Sequence, residues 1–96
     1  MLSVKVQFFS ILSEITGAKE LELTLKTGSK IEDLFNMLTE KYGADFKERI
    51  FDSKTGDLRR LIIVTVNGKD VRNMNRLKTD LNDGDEVAIL PTVAGG

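Results

Sequence analysis

The chain contains no cysteine and no histidine. Without cysteine there is no disulfide, no thiolate nucleophile and no thiolate metal site. Without histidine the commonest general base and the commonest transition-metal ligand are missing too. Carboxylates remain, but Asp33, Asp45, Asp52, Asp57 and Asp83 stand in turn-like or helix-start contexts where solvated side chains are expected. Excess charge is also lacking: 14 Lys plus Arg face 15 Asp plus Glu, so no overall field draws the chain to nucleic acid or an anionic membrane. No apolar run approaches the ~18 residues of a membrane span. The opening "MLSVKVQFF" has neither the basic start nor the unbroken apolar centre of a secretion signal, so a cytoplasmic location is expected. Proline occurs once, at position 91, and tryptophan not at all.

What is present fits one small domain, since 96 residues is the size of a single core. Leu2, Val4, Val6 and Phe8 alternate with Ser3, Lys5 and Gln7, which predicts a strand with one buried face. Phe9 departs from that pattern by placing an aromatic ring on the polar side. "SILSEITGAK" predicts a short helical turn stopped at Gly17. A second alternating strand follows, with Leu21, Leu23 and Leu25 inward, antiparallel to the first because the connection is short.

From Ser29 to Tyr42 the period changes to that of a helix, with Ile31, Leu34, Phe35, Leu38 and Tyr42 on one stripe. Ser29 and Glu32 have the spacing of a capping box, and Gly43 is placed to end the helix in the left-handed conformation. "ADFKERIF" predicts a shorter helix facing Phe46 and Ile50 inward, and "DSKTGDLRR" a polar, disordered turn. "LIIVTVNGKDV" predicts a hairpin at Asn67-Gly68, where both residues accept positive φ. "RNMNRLKTDLNDGD" is a polar loop around Leu77 and Leu81, turning at Asp83-Gly84. "EVAILP" is the last strand, ended by Pro91, which offers no N–H to a sheet.

The resulting class is α+β: a mixed sheet of four to five strands with one main helix across one face. The domain is expected over residues 1–90, with 91–96 a flexible tail. The opposite sheet face is left open, and Phe9, Ile63 and Leu90 would point to it, with a place under a loop equally open for Ile63. Clustered apolar residues on such a face mark a binding surface. The basic residues Lys69, Arg72, Arg76 and Lys78 fit a solvated loop better than a docking patch.

The tail supplies the strongest motif. "VKVQFFSILSEITG" at the start and "LNDGDEVAILPTVAGG" at the end resemble the MoaD family, the small subunit of molybdopterin synthase and a ubiquitin-like sulfur carrier of the MoaD/ThiS type. The resemblance covers the whole chain and implies the β-grasp fold of ubiquitin. It departs at Thr92, where relatives often carry a second proline, and in the long 43–60 segment. It implies that Gly96 is the reacting group: an ATP-using adenylyltransferase of the ubiquitin-activating type converts its carboxylate to an acyl-adenylate, and sulfur displaces AMP to leave a thiocarboxylate. The chain would then be a carrier for molybdenum cofactor biosynthesis, not an enzyme on its own. It would bind no cofactor or metal itself, and would be a monomer alone and a heterotetramer with the synthase large subunit. Phe9, Leu90, Pro91, Thr92, Val93, Ala94 and Gly95 are the expected partner contacts.

Chain geometry agrees with this role. Residues 91–96 fully extended reach ~20 Å, and two glycines let backbone pass where a Cβ would not fit. Three other readings share the tail: a sulfur donor for tRNA thiolation or thiazole synthesis, a ubiquitin-like protein modifier joined to lysine, and a passive ubiquitin-like interaction domain.

Overall fold

The alternation of the first strand does what its period requires. β1 (Leu2–Phe8) buries Leu2, Val4, Val6 and Phe8 and leaves Lys5 exposed. The structure, a computed structural model, describes residues 1–92. Its further elements are α1 (Ile11–Thr16), β2 (Glu20–Leu25), α2 (Ile31–Tyr42), α3 (Ala44–Ile50), β3 (Ile62–Val66), β4 (Lys69–Asp70) and β5 (Glu86–Pro91). The strands form one five-stranded sheet in the order β2-β1-β5-β3-β4. β1 and β5 run parallel at its centre, and the other pairs are antiparallel. This is the β-grasp arrangement, with the expected main helix α2 across one face.

The core is the inner sheet face and the apolar stripe of α2. Val4, Val6, Leu23, Val64, Val66, Val87 and Ile89 from the sheet share one cluster with Ile31, Leu34, Phe35 and Leu38 from the helix. Phe46 and Ile50 of α3 close one end, with Phe46 edge-on to Phe8 at 6.2 Å between ring centroids. Such offset geometries suit the quadrupoles of aromatic rings. Asn67 and Gly68 both take positive φ, 51° and 85°, as the hairpin turn requires.

Three expectations need correction. The capping box is not Ser29–Glu32: α2 starts one residue later, and the Lys30 backbone N–H donates to Asp33 Oδ2 at 2.8 Å. The cause is a bridge between Lys30 and Asp80 that holds residue 30 extended, while Ser29 binds Leu81 and Glu32 reaches Lys78 at 2.8 Å. Gly43 has φ 85° and ψ −163°, not the left-handed helical value, because the chain must turn at once into α3. The 52–60 stretch is not a disordered turn. The Asp52 carboxylate accepts the Lys54 N–H at 2.8 Å, Phe51 bridges Leu58, and the Phe51 ring stands edge-on to Phe35 at 5.4 Å. That long segment is therefore a lid over the end of the core. The last strand spans the expected EVAILP and ends at Pro91. Pro91 pairs with Ile62 in β5, and the Thr92 N–H donates to the Leu61 carbonyl at 2.8 Å, replacing the bond that proline cannot make.

Candidate functional site: the root of the tail

The DGDEVA segment is the scaffold on which the last strand is mounted. Asp83 Oδ1 accepts the Ser3 N–H at 2.7 Å and the Gly84 N–H donates to the Ser3 carbonyl at 2.7 Å, which locks the turn to the start of β1. Asp85 is buried, and its two carboxylate oxygens accept from Asn67 Nδ2 and the Asn82 N–H, both at 2.8 Å. Asn67 in turn accepts the Glu86 N–H at 2.9 Å through its side-chain oxygen. The hairpin, the DGD turn and β1 therefore all fix where β5 begins. The acidic residues of this motif are structural. Asp85→Ala leaves two donors without their acceptor and is expected to cost about 1–3 kcal/mol of folding stability. Chemical denaturation would check this, and a loss under ~0.5 kcal/mol would contradict the role.

At its other end β5 delivers the chain out of the middle of the sheet. The exit carries an apolar rim. Register pairs Leu90 with Ile63, and β1 pairs Gln7 with Ala88 and Phe8 with Ile89, so Phe9 follows beside Leu90. The Phe9 N–H donates to the Ile89 carbonyl at 3.3 Å, and its side chain is 43% exposed. Leu90, Ile63 and Pro91 are half-buried, and Leu61 is 40% exposed. Ile63, paired with Leu90, thus joins Phe9 and Leu90 on the open face and does not sit under a loop. Thr92 is held twice at the edge of this rim, its hydroxyl also donating to the Leu61 carbonyl at 2.7 Å. Val93, Ala94, Gly95 and Gly96 lie outside the described residues.

Sequence reasoning missed two parts of this site. Leu61 sits at the entry of β3, and only its excess of exposed apolar surface distinguishes it. The second is a groove on the helix side of the exit, lined by Ser10, Ile11, Leu12, Glu48, Arg49, Arg59, Leu61, Ile62, Pro91 and Thr92. Its members are scattered over four segments, so no spacing announces it. The basic loop behaves as a solvated, self-paired face: Lys78 pairs with Glu32, Arg76 lies 3.8 Å from Asp57, and Arg72 Nη2 donates to the Arg59 carbonyl at 2.9 Å.

Burial raises the pKa of Tyr42, and a hydrogen bond to Asp80 raises that of Lys30, but neither residue belongs to the rim or the groove. Among the described residues no group of three or more acidic side chains could hold a metal ion. Among them, too, no helix is long and apolar enough to cross a membrane. The site is a strand end held at both ends by hydrogen bonds and bordered by an apolar rim.

A β-grasp domain whose central strand runs into a Gly-Gly tail defines the class of ubiquitin-like carriers. The ThiS family profile matches residues 6–96, and the chain belongs to that family of ubiquitin-like sulfur carriers. It is 35% identical over 96 residues to "Sulfur carrier protein CysO" of Mycobacterium tuberculosis, covering 99% of this chain and all of the relative. It is 30% identical over 95 residues to the "Molybdopterin synthase sulfur carrier subunit" of Chlamydomonas reinhardtii, again with 99% and 100% covered. Among solved structures, the small archaeal modifier protein 1 of Methanosarcina acetivorans superposes with a TM-score of 0.81 at 40% identity, covering 100% of this chain and 98% of that one.

Proposed function

We propose that this chain carries sulfur as a thiocarboxylate on Gly96 and donates it as the small subunit of a molybdopterin synthase. The observation that supports this best is the mount. β5 is fixed at its start by Asp83 and Asp85 and at its end by two hydrogen bonds from Thr92 to the Leu61 carbonyl, so residues 93–96 continue from a rigid base. The family match that continues through residue 96 points to the same tip. Four residues beyond Thr92 span about 14 Å when extended, enough to enter another protein's active site.

In this reading a partner adenylyltransferase supplies ATP and the Gly96 carboxylate oxygen attacks the α-phosphate, releasing pyrophosphate. The acyl-adenylate gives a poor electrophile a good leaving group. A sulfur nucleophile supplied by the partner system then takes the place of AMP. This chain contributes no acid or base; it contributes position, and orientation alone is worth several kcal/mol of barrier.

The apolar rim is the docking surface for the large subunit and the adenylyltransferase. Interface energy concentrates in buried apolar anchors, so Phe9→Ala and Leu90→Ala are each expected to weaken large-subunit binding by more than ~1 kcal/mol. The exposed Phe9 should change the melting temperature little. Calorimetric titration with unchanged affinity in both variants would place the surface elsewhere.

A second reading is favoured by the 40% identity to an archaeal modifier protein: Gly96 joined through an isopeptide bond to a lysine of a target. Both readings begin with adenylation and diverge at the acceptor. Thiocarboxylated chain carrying labelled sulfur, incubated with the large subunit and the cyclic pterin precursor, should label the pterin. A ladder of tagged conjugates in cells, with no labelled pterin, would favour the modifier.

A further inference from the structure

The groove at the tail root is mainly apolar, with two arginines and one glutamate on its lining. Ile11, Leu61 and Pro91 give the apolar wall, and Arg49 at the end of α3 and Arg59 at the approach to β3 give the guanidinium groups. Arg59 is anchored: its Nε donates to the Glu48 carbonyl at 2.6 Å and its backbone N–H to the Ile50 carbonyl at 2.8 Å. Behind it, Arg72 Nη2 donates to the Arg59 carbonyl at 2.9 Å, while Arg72 Nη1 is buried with no acceptor among the described residues. Among the described residues, no ion pair uses Arg49, Arg59 or Arg60, and all three are exposed. In a chain of net charge −1 this is a local reversal of sign, placed beside the exit of the tail.

We propose that this groove docks an acidic, partly apolar segment at the mouth of the adenylating partner, separately from the open sheet face. The proposal rests on the adenylation reading above. Charge complementarity selects the occupant. Guanidinium forks bind carboxylates through paired hydrogen bonds, and anchoring Arg59 at Nε lowers the rotamer freedom lost on binding. The apolar wall suits side chains flanking the acid. RNA fits less well, because no lining residue of the groove offers an aromatic ring on which a base could stack. The groove also shares Pro91 and Thr92 with the exit, so any protein that swallows the tail must lay its entrance across it.

The test is ATP–pyrophosphate exchange by the adenylyltransferase of the same genome, with the full chain as varied substrate at low and high salt. The double variant Arg49→Glu/Arg59→Glu should raise the KM for the chain about tenfold, leave kcat within about twofold, and lose most of the salt dependence. Arg49→Glu alone disturbs no hydrogen bond recorded among the described residues, and it should raise KM in the same direction if the double variant fails to fold. An unchanged KM in Arg49→Glu and the double variant overturns the proposal. So does loss of oligouridine binding at constant KM, which would assign the groove to RNA. With KM constant, a shift of the Arg59 side-chain NMR signal on removing residues 93–96 would assign it to the chain's own tail. No exchange by the wild-type chain would remove the adenylation reading together with this proposal, whereas exchange that persists unchanged in the variants removes this proposal alone.

Discussion

Deleting Gly96 should lower ATP–pyrophosphate exchange by about 100-fold or more and leave the melting temperature unchanged. The loss follows from chain geometry. Removing one residue draws the carboxylate back by about 3.5 Å, several times the ~1 Å misplacement that costs ~100-fold where position sets the rate. Appending a residue after Gly96 should be as damaging, because it turns the reacting carboxylate into an amide. Stability should not follow activity, since the sheet is complete by Pro91 and the described core lies wholly within residues 2–89. Gly95→Val belongs with these variants, as in the proposed function it adds bulk to a stalk that enters another protein's active site. Near-native exchange by both the deleted and the extended chain would mean that the terminal glycines are incidental.

The second large effect is the converse. Leu34→Ala should destabilise the fold by about 2–5 kcal/mol by opening a cavity under α2. Leu34 is 0% exposed and stands between Ile31 and Leu38 on the stripe that meets the sheet. Against a total stability of about 5–15 kcal/mol for a small domain, that is a large share of the reserve. The same helix supplies the control: Met37 is 38% exposed, so Met37→Ala should change stability by no more than ~0.5 kcal/mol. Urea titration of the two variants reads both values. A loss below ~1 kcal/mol for Leu34→Ala would contradict the packing described.

Much of this architecture is legible in one dimension because burial imposes a period. The two-residue alternation of Leu2 to Phe8 and the helical stripe of Ile31 to Leu38 can each satisfy only one secondary structure, and the structure buries all these positions. Asn67-Gly68 is legible for a different reason, since few residue pairs accept positive φ twice. What failed were readings that depend on long-range partners. Ser29 and Glu32 have the spacing of a cap, but the bridge from Lys30 to Asp80, fifty residues on, decides which residue starts the helix. The 52–60 stretch looks unstructured by composition, and its order comes from Phe51 meeting Phe35 and from Asp52 closing its own turn.

The candidate site divides the same way. Phe9 and Leu90 stand out because each puts a large apolar group on a polar face. Leu61 and the Arg49–Arg59 groove come from segments that meet only when the sheet forms. The DGDEVA segment is the instructive case. It marks the family in sequence, yet its acids serve β1 and the hairpin, not the chemistry.

In the proposed function Gly96 becomes a thiocarboxylate. Intact mass spectrometry tests it most directly, on the chain co-expressed with its adenylyltransferase and a persulfide sulfur donor. A mass increased by the replacement of one oxygen by one sulfur, located to Gly96 by fragmentation and absent from the Gly96 deletion, is the predicted result. An unmodified mass under conditions where the partner forms the acyl-adenylate, or sulfur found on any other residue, would contradict it.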